Sequence, residues 1–296
     1  MSSRHQKHIP LEEFIKQELK KYGVNSNIYS FITRKLIETA ILDLEGKISL
    51  TSGRDEASKR QPLEMLTTSF SKSLSKSLYQ EFSPDKIAPL LNEASHWVQE
   101  VYKLASELFD FVFRFDVKTD SRLIVHTKNP YMPLEIGLAW HPLLNLPYIP
   151  SSTLKGVVRA FIRSHDRKEL CGIDTEILLG KQDHKGLLIF FDAVPVKVDN
   201  TLLEPDVITP HYVELEGRID ETSVKPRPIV YPTVAKGVTF AMVMAMDSKP
   251  SKNPECILTD LPNTISMALS QGLGAKTSLG YGYVKVSLIE KKVTKA

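Results

Sequence analysis

Through its first hundred positions the chain repeats apolar residues at helical spacing. Leu11, Phe14, Ile15 and Leu19 fall on one face of a stretch that Pro10 opens. A second stripe of Ile28, Phe31, Ile32, Leu36 and Leu44 predicts a helix from about Asn27 to Leu44. Phe70, Leu74 and Leu78 return every four residues amid serines and lysines, so the Ser-rich segment 67–77 reads as an amphipathic helix and not as a linker. Lys72 and Lys76 within it read as a solvated face in preference to an RNA contact. Ser83-Pro84-Asp85 marks a helix start, a capping hydroxyl followed by a proline in the first turn. The helix it opens carries Ile87, Leu90, Leu91, Ala94, Val98 and Val101. Residues 54–62 read as a mobile loop, and the whole stretch as a helical region over 1–105.

The period then changes. Phe109, Phe111, Phe113, Phe115 and Val117 alternate with mostly polar residues, the mark of a half-buried strand. Such a stripe could stack on bases, but no glycine-aromatic signature accompanies it, and core packing is the better reading. A Pro-rich stretch (129–150) follows, then a helix from Thr153 to about Ser164 and an apolar strand from Leu187 to Phe191. After an insertion come a strand over Val238–Met246, a helix over Asp260–Gln271 and a strand over Tyr281–Ile289. The order β-α-β, insertion, β-α-β predicts an α+β chain whose residues 106–296 form a ferredoxin-like (RRM-like) domain, helices on one face of an antiparallel sheet. That fold hosts many functions and decides none.

Composition narrows the field little. With 296 residues, 42% hydrophobic and 25% charged, the chain is an ordinary globular one, and a net charge of +3 means that any nucleic-acid surface must be local. Cys171 and Cys256 do not make a disulfide framework, so the chain reads as cytoplasmic. His165 precedes Cys171, but no second pair has zinc spacing, and neither a metal nor a cofactor is expected. The polar start (1–10) does not look like a signal peptide, and no segment is long and apolar enough for a membrane.

Chemistry concentrates in two places. Gly272-Leu273-Gly274-Ala275-Lys276-Thr277-Ser278-Leu279-Gly280-Tyr281-Gly282 sets two Gly-apolar-Gly units around a lysine and two hydroxyls. Glycines permit positive φ and close backbone approach, and N–H groups with a cation in one concave loop suit phosphate. The alternative is a tight turn between helix and strand. A nucleotide P-loop is excluded: Ala275 stands where glycine must precede the lysine, Ser270 replaces the earlier glycine, and a strand, not a helix, follows. On this reading Gly274→Val should leave a folded protein that no longer binds RNA.

The second place is Pro147-Tyr148-Ile149-Pro150-Ser151-Ser152-Thr153-Leu154-Lys155-Gly156. The prolines hold the approach extended, and Ser151 or Ser152 is expected to cap a helix whose first N–H groups and partial positive charge attract phosphate. Lys155, Arg159 and Arg163 lie four apart along it, a basic ladder suited to a sugar-phosphate backbone.

Both motifs resemble those of the RAMP superfamily, the RNA-binding proteins of CRISPR systems, though Ser151 stands where that family often has glycine. Phe191-Asp192-Ala193-Val194-Pro195, Asp206, Thr209-Pro210-His211-Tyr212, Pro226-Arg227-Pro228-Ile229 and the stretch from Gly237 to Phe240 follow one another as in the sixth-subunit family of the type III-B (Cmr) effector complexes. The likeness covers roughly 120–290.

The resemblance implies a non-catalytic backbone subunit. Its partners would be CRISPR guide RNA, target RNA through the guide duplex, and the other Cmr backbone RAMP proteins and small subunit. It implies RNA contacts at Ser151, Ser152, Thr153, Lys155, Arg159 and Arg163, and at Gly272, Gly274, Lys276, Thr277, Ser278, Gly280 and Gly282. A thumb-like hairpin would occupy about 196–231, with His211 and Tyr212 best able to reach nucleotides.

The competing reading is a RAMP-type endoribonuclease. His5, His8, His126, His141 and His211 come with no paired motif, and no constellation favours Asp116, Asp120 or Asp206, so no catalytic residue is assigned. A third class, a protein that docks an acidic partner and no RNA, would differ in lacking salt-dependent RNA binding.

Overall fold

The computed structural model describes residues 9–50, 62–125, 128, 132, 134–209, 213–215, 218–220, 228–247 and 253–293. Backbone contacts divide the chain into two compact units: one of 1–83, 127–138 and 203–233, the other of 84–126, 139–202 and 234–296.

In the first unit, helix α1 (Leu11–Tyr22) and helix α2 (Ile28–Leu44) both pack on helix α3 (Pro62–Glu81). Asn27 starts α2 as expected, its side chain accepting from the N–H groups of Tyr29 and Ser30. Phe70, Leu74 and Leu78 are buried, and so are Ser71, Ser73, Ser75 and Ser77. The serines let neighbours approach α3 from several sides, which the apolar period alone did not reveal. Lys72 and Lys76 do lie on the solvated side, Lys76 meeting Glu12 at 3.4 Å. Lys35 is 3% exposed. Burial alone would lower its pKa, but Glu18 and Glu38 outweigh this and raise it. The loop expected over 54–62 lies outside the described residues except for Pro62, which opens α3.

In the second unit, helix α4 (Pro84–Leu108) precedes strand β1 (Phe111–Thr119), helix α5 (Ser151–Ser164) and a short helix α6 (Thr175–Leu179). Strands β2 (Leu188–Phe190) and β3 (Val194–Val198) follow. The chain then enters the first unit as β4 (Leu203–Ile208), β5 (Val213–Leu215) and β6 (Arg218–Asp220), and returns along β7 (Ile229–Val234). Strand β8 (Val238–Met246), helix α7 (Pro254–Ser270) and strand β9 (Val284–Val293) complete the second unit. The sheet order is β9-β1-β8-β2, with β3 also on β8, and every pair is antiparallel. Both expected β-α-β halves are therefore present, the outer strand of each separated from its mate by a strand of the other half.

Register decides which face each side chain takes. Lys291 stands opposite Phe113 and its ammonium donates to the Leu258 carbonyl of α7, so Phe111, Phe113, Phe115 and Val117 point toward α7. Phe113 and Phe115 are fully buried; the phenylalanine stripe is core, as read, each ring contributing roughly 2–3 kcal/mol of burial. Arg114 stands opposite Glu290 at 2.8 Å, and both charges act on Tyr102 of α4. The second face thus lies under α4, which packs on β1, β3 and β8. All nine residues of β8 are buried, as a strand covered on both sides requires. This corrects two expectations: helices lie on both faces of the sheet, and α4 belongs with the sheet instead of with a helical region ending at 105. The insertion likewise groups with the N-terminal helices through β4 on α3, and not with the sheet unit.

Cys171 and Cys256 form a disulfide across 85 residues of sequence, tying the start of α7 to the hairpin that follows α5. A single bridge is still no framework, as read, but the sequence did not indicate that the two cysteines pair with each other.

Candidate nucleic-acid interface

The glycine loop joins α7 to β9. Leu273 is fully buried and anchors it, its N–H donating to the Gly282 carbonyl at 2.9 Å. The N–H of Ala275 donates to the Ile124 carbonyl at 2.8 Å and that of Gly282 to the Arg122 carbonyl at 2.7 Å. The loop therefore lies along the segment that leaves β1. A Cβ on Gly274 would sit 2.1 Å from the Ile124 oxygen, and one on Gly282 would sit 1.9 Å from the Leu273 oxygen. Both glycines are demanded by the protein's own backbone. The expectation that Gly274→Val stays folded is thereby corrected, because a side chain there meets a carbonyl before any RNA arrives. Gly280 differs: it has φ +89 and nothing within 4 Å of its missing Cβ.

Between these fixed points Lys276 takes a left-handed φ of 61° and starts a single turn over Thr277–Leu279. Its ammonium lies 5.7 Å from the Tyr281 ring centroid, within cation–π reach. Thr277 presses its methyl toward Gly272, while Ser278 and Gly280 are exposed. Lys276, Ser278 and Gly280 thus form the outward rim, and Gly272, Gly274 and Gly282 shape it from within.

Helix α5 is capped differently from the sequence reading. Ser151 is its first residue, Pro150 holds the cap position, and no side chain of the helix caps it. Instead the Asp192 carboxylate accepts from the Ser151 N–H at 2.7 Å. The Thr153 and Leu154 N–H groups turn back to the Pro150 carbonyl. An acidic group thus already occupies the helix mouth, which explains why Asp192 stands where β2 gives way to β3, and leaves less room for a phosphate on the N–H groups themselves.

The basic ladder also separates by role. Arg159 donates to the carbonyls of Leu179 and Gly180 at 2.9 and 2.7 Å, closing the end of α6. Arg163 is exposed in the last turn. Lys155 is half-buried, and among the described residues no carboxylate pairs with it. Burial lowers its pKa, and the neighbouring Arg159 lowers it further. A half-buried cation beside a second cation is a ready place for an anion.

A hydrogen-bonded path links the two motifs: Ala275 to Ile124, Val125 to Ala139, and Ala139 to Tyr148, just before α5. Three strand-width steps keep Ala275 of the loop and Tyr148, three residues before α5, within roughly 20 Å of each other. His211 and Tyr212 lie outside the described residues.

Of the residues weighed for catalysis, His141 and Asp120 are engaged by neighbours, and His5, His8, His126 and His211 lie outside the described residues. His141 is half-buried between Trp97 and Tyr148, and its Nδ1 accepts from the Leu144 N–H. Burial lowers its pKa, against the pull of Asp192. Asp116 faces α4, burial raising its pKa. Asp120 meets Lys236 and Lys285, which hold its pKa down. Among the described residues no His, Cys, Asp or Glu group is suited to a metal ion, and no helix is long and apolar enough to cross a membrane.

Sequence reasoning missed Asp192 as the helix cap and the hairpin that Arg159 holds. The first had a signal, the acid in the Phe-Asp-Ala-Val-Pro run, but nothing in the sequence paired it with α5.

A sheet of this order, with helices packed on both faces, defines an α+β protein built from two β-α-β halves. The RAMP superfamily profile matches residues 132–285, and the chain belongs to that superfamily. It is similar to the CRISPR system CMR subunit Cmr6 of Saccharolobus solfataricus, 32% identical over 178 residues, 60% of this chain and 58% of the relative. It is also similar to the Cmr6 subunit of Pyrococcus furiosus, 32% identical over 140 residues, 42% of this chain and 38% of that one. The aligned part thus spans under two thirds of either relative. A chain in the cryo-EM structure of the type III-B Cmr-beta complex bound to cognate target RNA shares the fold, with TM-score 0.68 and 22% identity over 96% of this chain and 98% of that one.

Proposed function

We propose that this protein is an RNA-binding subunit of a type III-B CRISPR (Cmr) interference complex, acting in the cytoplasm as a non-catalytic backbone or capping piece. It holds guide-RNA phosphates and helps position the guide–target duplex. The observation that carries the reading is Lys155, a half-buried cation beside Arg159 with no carboxylate partner among the described residues, on a path of backbone bonds from the Lys276 loop. Family membership and the likeness to the Cmr6 proteins supply the class of ligand. The sheet unit is read as the ferredoxin-like palm of a RAMP protein, and the β4–β7 insertion as its thumb. Intracellular disulfides persist in hyperthermophiles, so the Cys171–Cys256 bridge is compatible with a cytoplasmic protein. The engaged state of His141 and Asp120 supports a holding role over a cleaving one.

The test is RNA binding across a salt series. Lys155→Ala and Lys276→Ala should each lower the slope of log affinity against log salt by about 0.7, the value of one single-strand phosphate contact. Unchanged slopes in both would sink the site. Cleavage of guide or target RNA by the isolated protein would overturn the non-catalytic role, and several copies per guide by native mass spectrometry would overturn the cap.

A further inference from the structure

Between α6 and β2 the chain makes a tight hairpin, Gly180 to Gly186. Gly180 has φ +77, and a Cβ on it would sit 2.5 Å from the Gly186 nitrogen. A Cβ on Gly186 would sit 2.4 Å from the Leu179 carbonyl carbon. The two strands of the hairpin therefore cross so closely that both positions require glycine. Lys181 and His184 exchange backbone hydrogen bonds of 3.0 and 3.1 Å and close the tip.

The base is held from several directions. Arg159 grips the Leu179 and Gly180 carbonyls, Asp174 caps α6, and the Leu187 N–H donates to the Ile177 carbonyl. The tip, by contrast, is five consecutive exposed polar residues: Lys181, Gln182, Asp183, His184 and Lys185. Among the described residues only Lys181 of these has an ion pair, a 3.6 Å contact with exposed Glu176, worth little. Lys155 lies one helical turn before Arg159 on α5. The edge thus gathers Lys181 and Lys185 above Arg159, against Glu176 and Asp183, with no apolar side chain at the tip.

We propose that this hairpin is a further RNA contact, its two lysines gripping phosphates while Gln182 and His184 offer hydrogen bonds to the sugar-phosphate backbone. The lysine and amide chemistry suits phosphate and 2′-hydroxyl groups, and the absence of an apolar anchor at the tip argues against a protein groove. The rigid base means that little ordering entropy is lost when the tip binds. The inference rests on the reading of the chain as an RNA-binding subunit, and extends its surface beyond α5 and the glycine loop.

The experiment titrates a uridine-rich single-stranded RNA against the full chain, Lys276→Ala, and the double variant Lys181→Ala/Lys185→Ala, over a salt series. Two lost contacts should lower the slope by about 1.4 and the affinity at low salt by at least about tenfold, with an unchanged melting temperature. If the wild type binds and Lys276→Ala weakens it, while the double variant binds as the wild type does, the hairpin inference falls and the broader reading stands. No RNA binding by the wild type overturns both. A double variant that keeps its RNA affinity but no longer joins a reconstituted complex assigns the hairpin to a protein contact and overturns the inference.

Discussion

Glycine carries two different meanings in the 272–282 loop. At Gly274 and Gly282 the missing Cβ makes room for a carbonyl of the same chain, whereas at Gly280 only a positive φ is at stake. Gly274→Val should therefore cost about 3 kcal/mol or more, from clash and strain together. Gly280→Ala should cost about 1 kcal/mol, the ordinary penalty of left-handed backbone. Chemical denaturation distinguishes them, and a Gly274→Val variant as stable as the wild type would refute the close approach. The sequence marked every one of these glycines and could not sort them, because the Ile124 carbonyl lies 150 positions away in the chain. The same limit hid the fate of Arg159. Four-residue spacing put it on a helix face with Lys155, but only the position of α6 shows it bonded to carbonyls while, among the described residues, no carboxylate pairs with Lys155.

At the scale of elements, periodicity located helices and strands well and their ends less well. Val238–Met246 coincides with β8, and the helix expected from Thr153 begins at Ser151. The helix expected from Asp260 begins six residues earlier, at Pro254, with Asn253 capping it and Pro262 lying inside it. A proline within the run disguised that start. Arg159 joins two elements, so its removal should be felt in α6 and the following hairpin more than in α5. Arg159→Ala is expected to cost about 2 kcal/mol, two charge-assisted bonds to half-buried carbonyls being lost. Hydrogen exchange should show faster opening over 175–187. Lys155→Ala should leave that segment unchanged, and equal loosening by both variants would mean that packing along α5 matters instead of the bonds to Leu179 and Gly180.

For the whole molecule, the division into units predicts where the chain can be cut. A chain of residues 84–296 keeps α4 over the Val112–Arg114–Asp116 face of the sheet, while 109–296 uncovers it and exposes β8 on one side. Guanidinium denaturation should give a cooperative transition at higher denaturant for 84–296 than for 109–296. Equal midpoints would show that α4 adds nothing to the sheet. By itself the sequence determined the element types, the α+β class, the buried phenylalanine stripe and the two segments that mark a RAMP protein, since each depends on residues near in sequence and on the spacing of apolar positions. Tertiary structure decided what depends on distant partners. It set α4 against the sheet, drew the insertion to the N-terminal helices, joined Cys171 to Cys256, and gave the mouth of α5 to Asp192. It also turned one basic ladder into a structural arginine and a half-buried lysine. Periodicity tells a residue that it has a buried side; only the folded chain supplies the neighbour on that side, and charge, strain and binding follow from the neighbour.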